Sequence, residues 1–224
     1  FNLFAKQAQL EVFEGYFHDY ERAVAAQNSR KKGLYYADDP RHIQNKIDVF
    51  AKRALLNYTN NSPSSVGGVE DHFELPTDFY KVINITFQAS DLGRVIQEVP
   101  KHRFDLQESS NLTAPSVIFP IYKREGSKIF VRPLSINYAA STPTPDEEVY
   151  MNYIRKPSDP HWGYNTIDGD PVYNEDSSTQ FEVDLADEPE LVYKICLMAG
   201  LNIREKEVIE TMNKIETQDF SKDL

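Results

Sequence analysis

The stretch "FELPTDFYKVINITFQA", residues 73–89, marks the change in hydrophobic period along this chain. Upstream, apolar residues recur every three or four positions, whereas Lys81 to Phe87 are strand-like, with apolar Ile83, Ile85 and Phe87 at every second position. That is the period of a strand with one buried face. Leu75-Pro76 fixes an extended entry, and Asp78 turns the chain ahead of Phe79 and Tyr80. Proline keeps its predecessor out of the helical region, and a short acidic side chain bonds its own backbone in turns.

Two helices are predicted upstream. Leu3, Leu10, Phe13, Phe17, Tyr20 and Val24 make one seam over residues 1–28, at spacings of three, four and seven. Gly15 lies inside it and costs about 1 kcal/mol relative to alanine unless it marks a close backbone contact. Gly33 breaks this helix. Asp39 caps the next, Pro40 takes the first helical position, and Ile43, Ile47, Phe50, Ala54 and Tyr58 carry the seam onward. The cations between Arg30 and Arg53 flank that stripe and read as a solvated helix face. Residues 59–72, rich in Ser, Asn, Pro and Gly, form a loop.

Beyond Phe87, residues 100–110 fit a short helix. Val117–Lys123 and Lys128–Arg132 read as a hairpin turning at Glu125-Gly126-Ser127, and Val149–Arg155 as a third run closed by Pro157. The connections are read as too short for crossovers between parallel strands, so the block is expected to be antiparallel. From Asp187 the chain returns to helix, with Asp187 and Glu190 as a capping box and Leu191, Ile195 and Met198 on one face. Gly200 stops it, and a restart at Asn202 would use Ile203, Val208, Met212 and Ile215. The expected class is α+β: a helical bundle formed by the N- and C-terminal helices, with an inserted antiparallel β domain. The expected boundaries are a helical N-terminal region over residues 1–72, a β-rich insert over 73–184, and C-terminal helices over 185–224 that pack on the N-terminal region.

A net charge of −11 disfavours nucleic-acid binding by neutralisation of phosphates. No apolar run approaches the roughly 20 residues that span a bilayer, and no secretory leader is visible. Phe1 reads as helix interior, so residues upstream of it are expected. Cys196, the single cysteine, sits in the apolar run ICLMA and reads as a buried, inert thiol.

No phosphate-cradling loop, dinucleotide fingerprint or nucleophile elbow occurs. His18, His42, His72, His102 and His161 stand apart, and "DGDPVYNEDSS", Asp168 to Ser178, lacks the register of a calcium loop and reads as a plain loop. No catalytic, cofactor-binding or metal-binding residue is therefore expected, nor any enzymatic activity. "YIRKPSDPHWGY", residues 153–164, holds the only tryptophan, Trp162. Pro157 ends a strand, Asp159-Pro160 turns the chain, and Trp162 with Tyr164 then meets either the protein's own core or a partner. Tyr153, Arg155, Trp162 and Tyr164 are the candidate packing or subunit-contact residues.

Taken in order, "FNLFAKQAQLEVFEGYF", "ELPTDFYKV", "NLTAPSVIFPIY", "YIRKPSDPHWGY" and "STQFEVDLADEPELVYKICLMAGLNIRE" resemble ring or adaptor proteins of tailed bacteriophages, in particular the head–tail connector proteins of crAss-like phages. The likeness runs from Phe1 to about Glu216. It implies a structural virion protein at the head–tail junction, assembled in the host cytoplasm as a ring of about twelve copies. Such a ring extends the DNA channel below the portal, contacts further tail proteins, and passes genomic DNA without sequence-specific binding; no membrane partner is implied. A twelvefold ring would carry on the order of −130 charges, some of which would line the channel and repel phosphates. The alternative is a tail-associated glycan-binding protein, with Trp162, Tyr164 and Tyr173 stacking on a sugar, or a glycoside hydrolase with two carboxyl groups roughly 5–10 Å apart.

Overall fold

A computed structural model describes residues 1–28, 39–59, 71–89, 92–136 and 147–203. The fold is mixed α+β with a large, nearly closed eight-stranded sheet. The chain divides into two units, Phe50–Lys156 and a discontinuous one made of Phe1–Val49 with Pro157–Leu224. These boundaries differ from the expected 72/73 and 184/185, for reasons visible within each unit.

In the unit Phe50–Lys156 the strands are β1 (Ala51–Leu55), β2 (Asn57–Thr59), β3 (His72–Glu74), β4 (Phe79–Ala89), β5 (Leu92–Glu98), β6 (Ile121–Glu125), β7 (Lys128–Arg132) and β8 (Glu147–Arg155). Their order is β1-β8-β4-β5-β6-β7-β3-β2. The two edges, β1 and β2, are neighbours in sequence with only Leu56 between them. One bent segment, residues 51–59, therefore serves both edges and brings the sheet almost to closure. Leu56 continues the β1 ladder by donating to the Val149 carbonyl (2.9 Å), and its side chain is buried.

The helix expected to run through Tyr58 stops at Asp48. Phe50, Ala54 and Tyr58 recur every four residues, and four is both near a helical turn and an even number. Ala54, Leu56 and Tyr58 are in fact the inward positions of a strand, packed into one core with Phe73, Ile85 and Met151. Burial of such side chains contributes about 1.5–3 kcal/mol each.

A second correction concerns connectivity. β5 and β6 are parallel, pairing Gln97 with Ile121 and Glu98 with Tyr122. The connection between them contains α3 (Lys101–Glu108) and is a crossover of the kind the sequence was expected to lack. The strand after it begins at Ile121 rather than Val117: Pro120 has no N–H to give a ladder, and its carbonyl accepts from Gln97 (3.0 Å). Phe104 of α3 is fully buried with Val99, Ile121 and Phe130. Lys123 lies over the Phe104 and Phe130 rings at 4.9 and 5.1 Å and pairs with Glu125 (3.3 Å) and Asp105 (3.7 Å). Arg132 donates to Glu108 at 2.7 Å. Ion pairs thus clamp α3 onto the β6–β7 hairpin.

Asp78, expected as a turn former, also ties strands together. It accepts from the Tyr153 hydroxyl (2.7 Å) and from Lys52 (2.9 Å). Burial alone would push this carboxyl up, but the Lys52 and Tyr153 hydrogen bonds, with the Lys52 charge, outweigh that and hold it below the usual carboxylate range.

The discontinuous unit holds α1 (Asn2–Asn28), α2 (Asp39–Asp48) and α4 (Glu188–Ile203), with a 3₁₀ turn at Leu185–Asp187. α1 packs against both α2 and α4. Its buried face is Ala5, Ala8, Gln9, Val12, Phe13 and Tyr16, rotated from the predicted seam, and Leu3 is 75% exposed. Small residues let neighbouring backbone approach, which a count of large side chains overlooks. Gly15 has open space around it rather than a close contact.

Asp187 does not act as the expected capping residue. Asp184 caps the 3₁₀ turn, accepting from the Ala186 N–H (2.9 Å). The Asp187 carboxylate instead accepts from the Tyr16 hydroxyl (2.8 Å) and from Lys46 (2.7 and 2.8 Å). Burial and this carboxylate together push the Tyr16 hydroxyl well above its ordinary range. Helix α4 also passes through Gly200 without stopping. Cys196 in α4 is partly exposed, not fully buried. The break at Gly33 and the restart involving Val208, Met212 and Ile215 lie outside the described residues, as does most of the loop 59–72.

Two outcomes follow in solution. Asp187→Ala leaves Tyr16 and Lys46 without their acceptor and is expected to destabilise the protein by about 2–3 kcal/mol, read as a lower urea midpoint. A carboxyl held below its ordinary value stabilises the fold above about pH 4 and ceases to do so as pH falls through the depressed value. The stability difference between wild type and Asp78→Asn is therefore expected at pH 7 and should shrink toward zero on acidification.

Candidate functional site

The segment following Pro157 is held by polar side chains of α1. Gln9, buried, donates to the Ser158 carbonyl (2.8 Å) and accepts from the Glu182 N–H (2.9 Å). Lys6 pairs with Asp159 at 2.6 Å. Asn2 brackets Trp162: its Oδ1 accepts from the Trp162 backbone N–H (2.9 Å) and its Nδ2 donates to the Trp162 carbonyl (3.3 Å). His161 forms an isolated bridge with Thr179. Gly163 is buried against Ser177, whose Oγ lies 2.0 Å from where a Cβ would stand. No larger residue fits there without movement.

From this base a two-stranded ribbon projects, β9 (Tyr164–Ile167) with β10 (Asp170–Tyr173). Asp168 (φ 54°) and Gly169 (φ 95°) make its two-residue turn, the backbone that Asp-Gly favours in tight hairpins. All eight strand residues are exposed, and the pair forms a sheet of its own. The register sets Tyr164 opposite Tyr173 and Asn165 opposite Val172. One face thus carries Tyr164, Tyr173, Thr166 and Pro171, and the other Ile167 and Val172 with Asn165 and Asp170. Trp162 stacks on Tyr164 with ring centroids 5.3 Å apart. Exposure is 37% for Trp162, 55% for Tyr164 and 48% for Tyr173. A ribbon of this size with apolar groups on both faces gains little from its own packing. Its rings are open to solvent.

Charge is concentrated in the same region. Between Lys156 and Lys194 there is no lysine or arginine, and ten Asp or Glu residues. This stretch therefore accounts for −10 of the chain's −11.

The unit Phe50–Lys156 has its own exposed apolar element, the crossover from α3 to β6. Leu112 is 94% and Phe119 75% exposed, with Leu106 and Ile118 also open. Arg94 fixes the loop by donating to the Val117 carbonyl at 2.9 Å.

The four predicted contact residues separate. Tyr153 is fully buried in the barrel core, its hydroxyl on Asp78. Arg155 places its guanidinium 5.7 Å from the Phe50 ring centroid, and its N–H donates to the Phe50 carbonyl. Only Trp162 and Tyr164 are brought together, at the ribbon. Sequence reasoning overlooks Asn2, Gly163 and the strand that carries Tyr173. The hairpin has a signal, Asp-Gly between the short runs "YNTI" and "DPVY" that contain Tyr, Thr, Ile and Val, but the acids around it suit a plain loop equally well.

The sequence matches no protein-family model, and no curated protein matches it.

Gly163→Ala is expected to destabilise the protein by about 1–3 kcal/mol, because the new methyl meets Ser177 backbone as well as its hydroxyl. The sole tryptophan, one residue away, reports the change as altered emission in the folded state.

Proposed function

We propose that this chain is a structural virion protein that assembles side by side with copies of itself into a ring at a phage head–tail junction, extending the DNA channel and contacting further tail components. The observation that carries the proposal is the projecting ribbon with Trp162, Tyr164 and Tyr173 exposed on a base fixed by Asn2, Gln9 and Gly163. Exposed, rigid aromatic groups are the residues that dominate protein–protein contacts. The sequence resemblance to phage connector proteins supports the same reading, as does the second exposed apolar element at the crossover. In this reading α1, α2 and α4 form a helical bundle from which the barrel is an insert, and the subunit performs no chemistry. The acidic stretch between Lys156 and Lys194 would repel DNA from any surface on which it lies.

A second reading, a tail-associated glycan-binding surface, is favoured by one observation. The Trp162–Tyr164 stack offers an aromatic face of the type that sugars pack against. Among the described residues no helix is long and apolar enough to cross a membrane.

Native mass measurement and negative-stain imaging of the purified chain test the proposal. The expected result is a closed ring of many copies. A monomer that binds or hydrolyses glycans would favour the second reading and end the first.

A further inference from the structure

A ring closed by head-to-tail contact needs two different surfaces on each subunit, each complementary to the other. The structure carries two such elements, one on each unit, and they differ in charge. The ribbon has Asp168, Asp170, Glu175 and Asp176 around its rings and no cation nearby in sequence. The crossover loop, residues 109–120, has no charged residue. The acids flanking it are engaged inside their own unit: Asp105 with Lys123, Glu108 with Arg132, and Glu98 with the Tyr122 hydroxyl. The flanking cations Arg94 and Arg103 have no acidic partner among the described residues, Arg94 resting on a neutral carbonyl. An acidic aromatic ribbon thus matches the needs of an apolar loop rimmed by arginine, a pairing that also suits arginine over tyrosine rings.

Building on the assembly proposed above, we infer that the Trp162–Tyr164–Tyr173 face of one copy seats on the Leu112–Ile118–Phe119 loop of the next copy. The contact is heterologous: each subunit gives its ribbon to one neighbour and its loop to the other.

Complementation between two variants tests this. The ribbon variant is Tyr164→Ser with Tyr173→Ser; the loop variant is Ile118→Ser with Phe119→Ser. All four positions are exposed, and circular dichroism with thermal melting confirms that each variant folds. Oligomer size is read by native mass spectrometry and sedimentation. The expected result is that wild type assembles, each variant alone remains monomeric, and an equimolar mixture stops at a one-to-one heterodimer. That dimer forms because the mixture retains a single intact pairing, the ribbon of the loop variant on the loop of the ribbon variant. High salt should weaken the heterodimer.

If wild type assembles and either variant assembles as well as it does, the ribbon–loop pairing is wrong while the ring reading stands. If both variants fail and the mixture yields no heterodimer, the pairing is again overturned. A wild type that stays monomeric under all conditions removes the ring reading itself, and this inference with it.

Discussion

The carboxylate of Asp187 closes the discontinuous unit. The chain leaves that unit at Val49 and returns at Pro157, so its two halves are joined covalently only through the barrel. Tyr16 on α1 and Lys46 on α2 both donate to the one side chain that precedes α4. Lys46 also lies 5.5 Å from the Tyr16 ring centroid. This half-buried carboxylate accepts on both oxygens, and removing it leaves two groups without the acceptor around which they are placed. Gln9 repeats the device at the other end of the segment, joining Ser158 and Glu182 through one amide. Polar side chains of α1, Gln9 and Asn2, fix the loop from which the ribbon springs.

The barrel depends on a different constraint. A strand that serves both edges of its own sheet must bend, and it bends at Leu56, whose side chain fills the interior at the point of closure. The two edges that remain, β1 and β2, are short and belong to one bent segment, which limits the open edge that could template pairing with other chains. Exposed apolar side chains are scattered over both units, among them Leu3, Val49, Val95 and Leu185, and they are grouped most closely in sequence in the crossover loop and in the separate ribbon. The nearly closed sheet does not require the exposure of either element.

The uneven charge gives the same region a second property. With −10 of −11 placed between Lys156 and Lys194, the rest of the chain is close to neutral. Like charge on identical ribbons disfavours ribbon-on-ribbon pairing. Acidity in this protein is a directional feature of one segment rather than a uniform coat.

Several elements were legible from sequence because a local rule decides them. α1 spans the predicted residues, β4 and β8 show period-two alternation, and Gly126-Ser127 turns the β6–β7 hairpin as expected. The aromatic character of Trp162 and Tyr164 was legible too, but not whether they face core or solvent. The errors fall where local rules are degenerate. Spacing of four satisfies helix and strand alike at Phe50, Ala54 and Tyr58, and only pairing with β8 and β3 selects the strand. An Asp-x-x-Glu pattern suits a cap, yet Asp187 is taken by Tyr16 and Lys46 from 171 and 141 residues away. Tyr153 and Tyr164 look equivalent as letters and end as a buried anchor and an exposed ring. Sequence by itself determined composition, charge placement and the period of each element, because these depend on neighbours along the chain. Tertiary structure alone decided closure, the partners of buried polar groups and which aromatic groups meet solvent, because those depend on residues that only folding brings within a few ångströms.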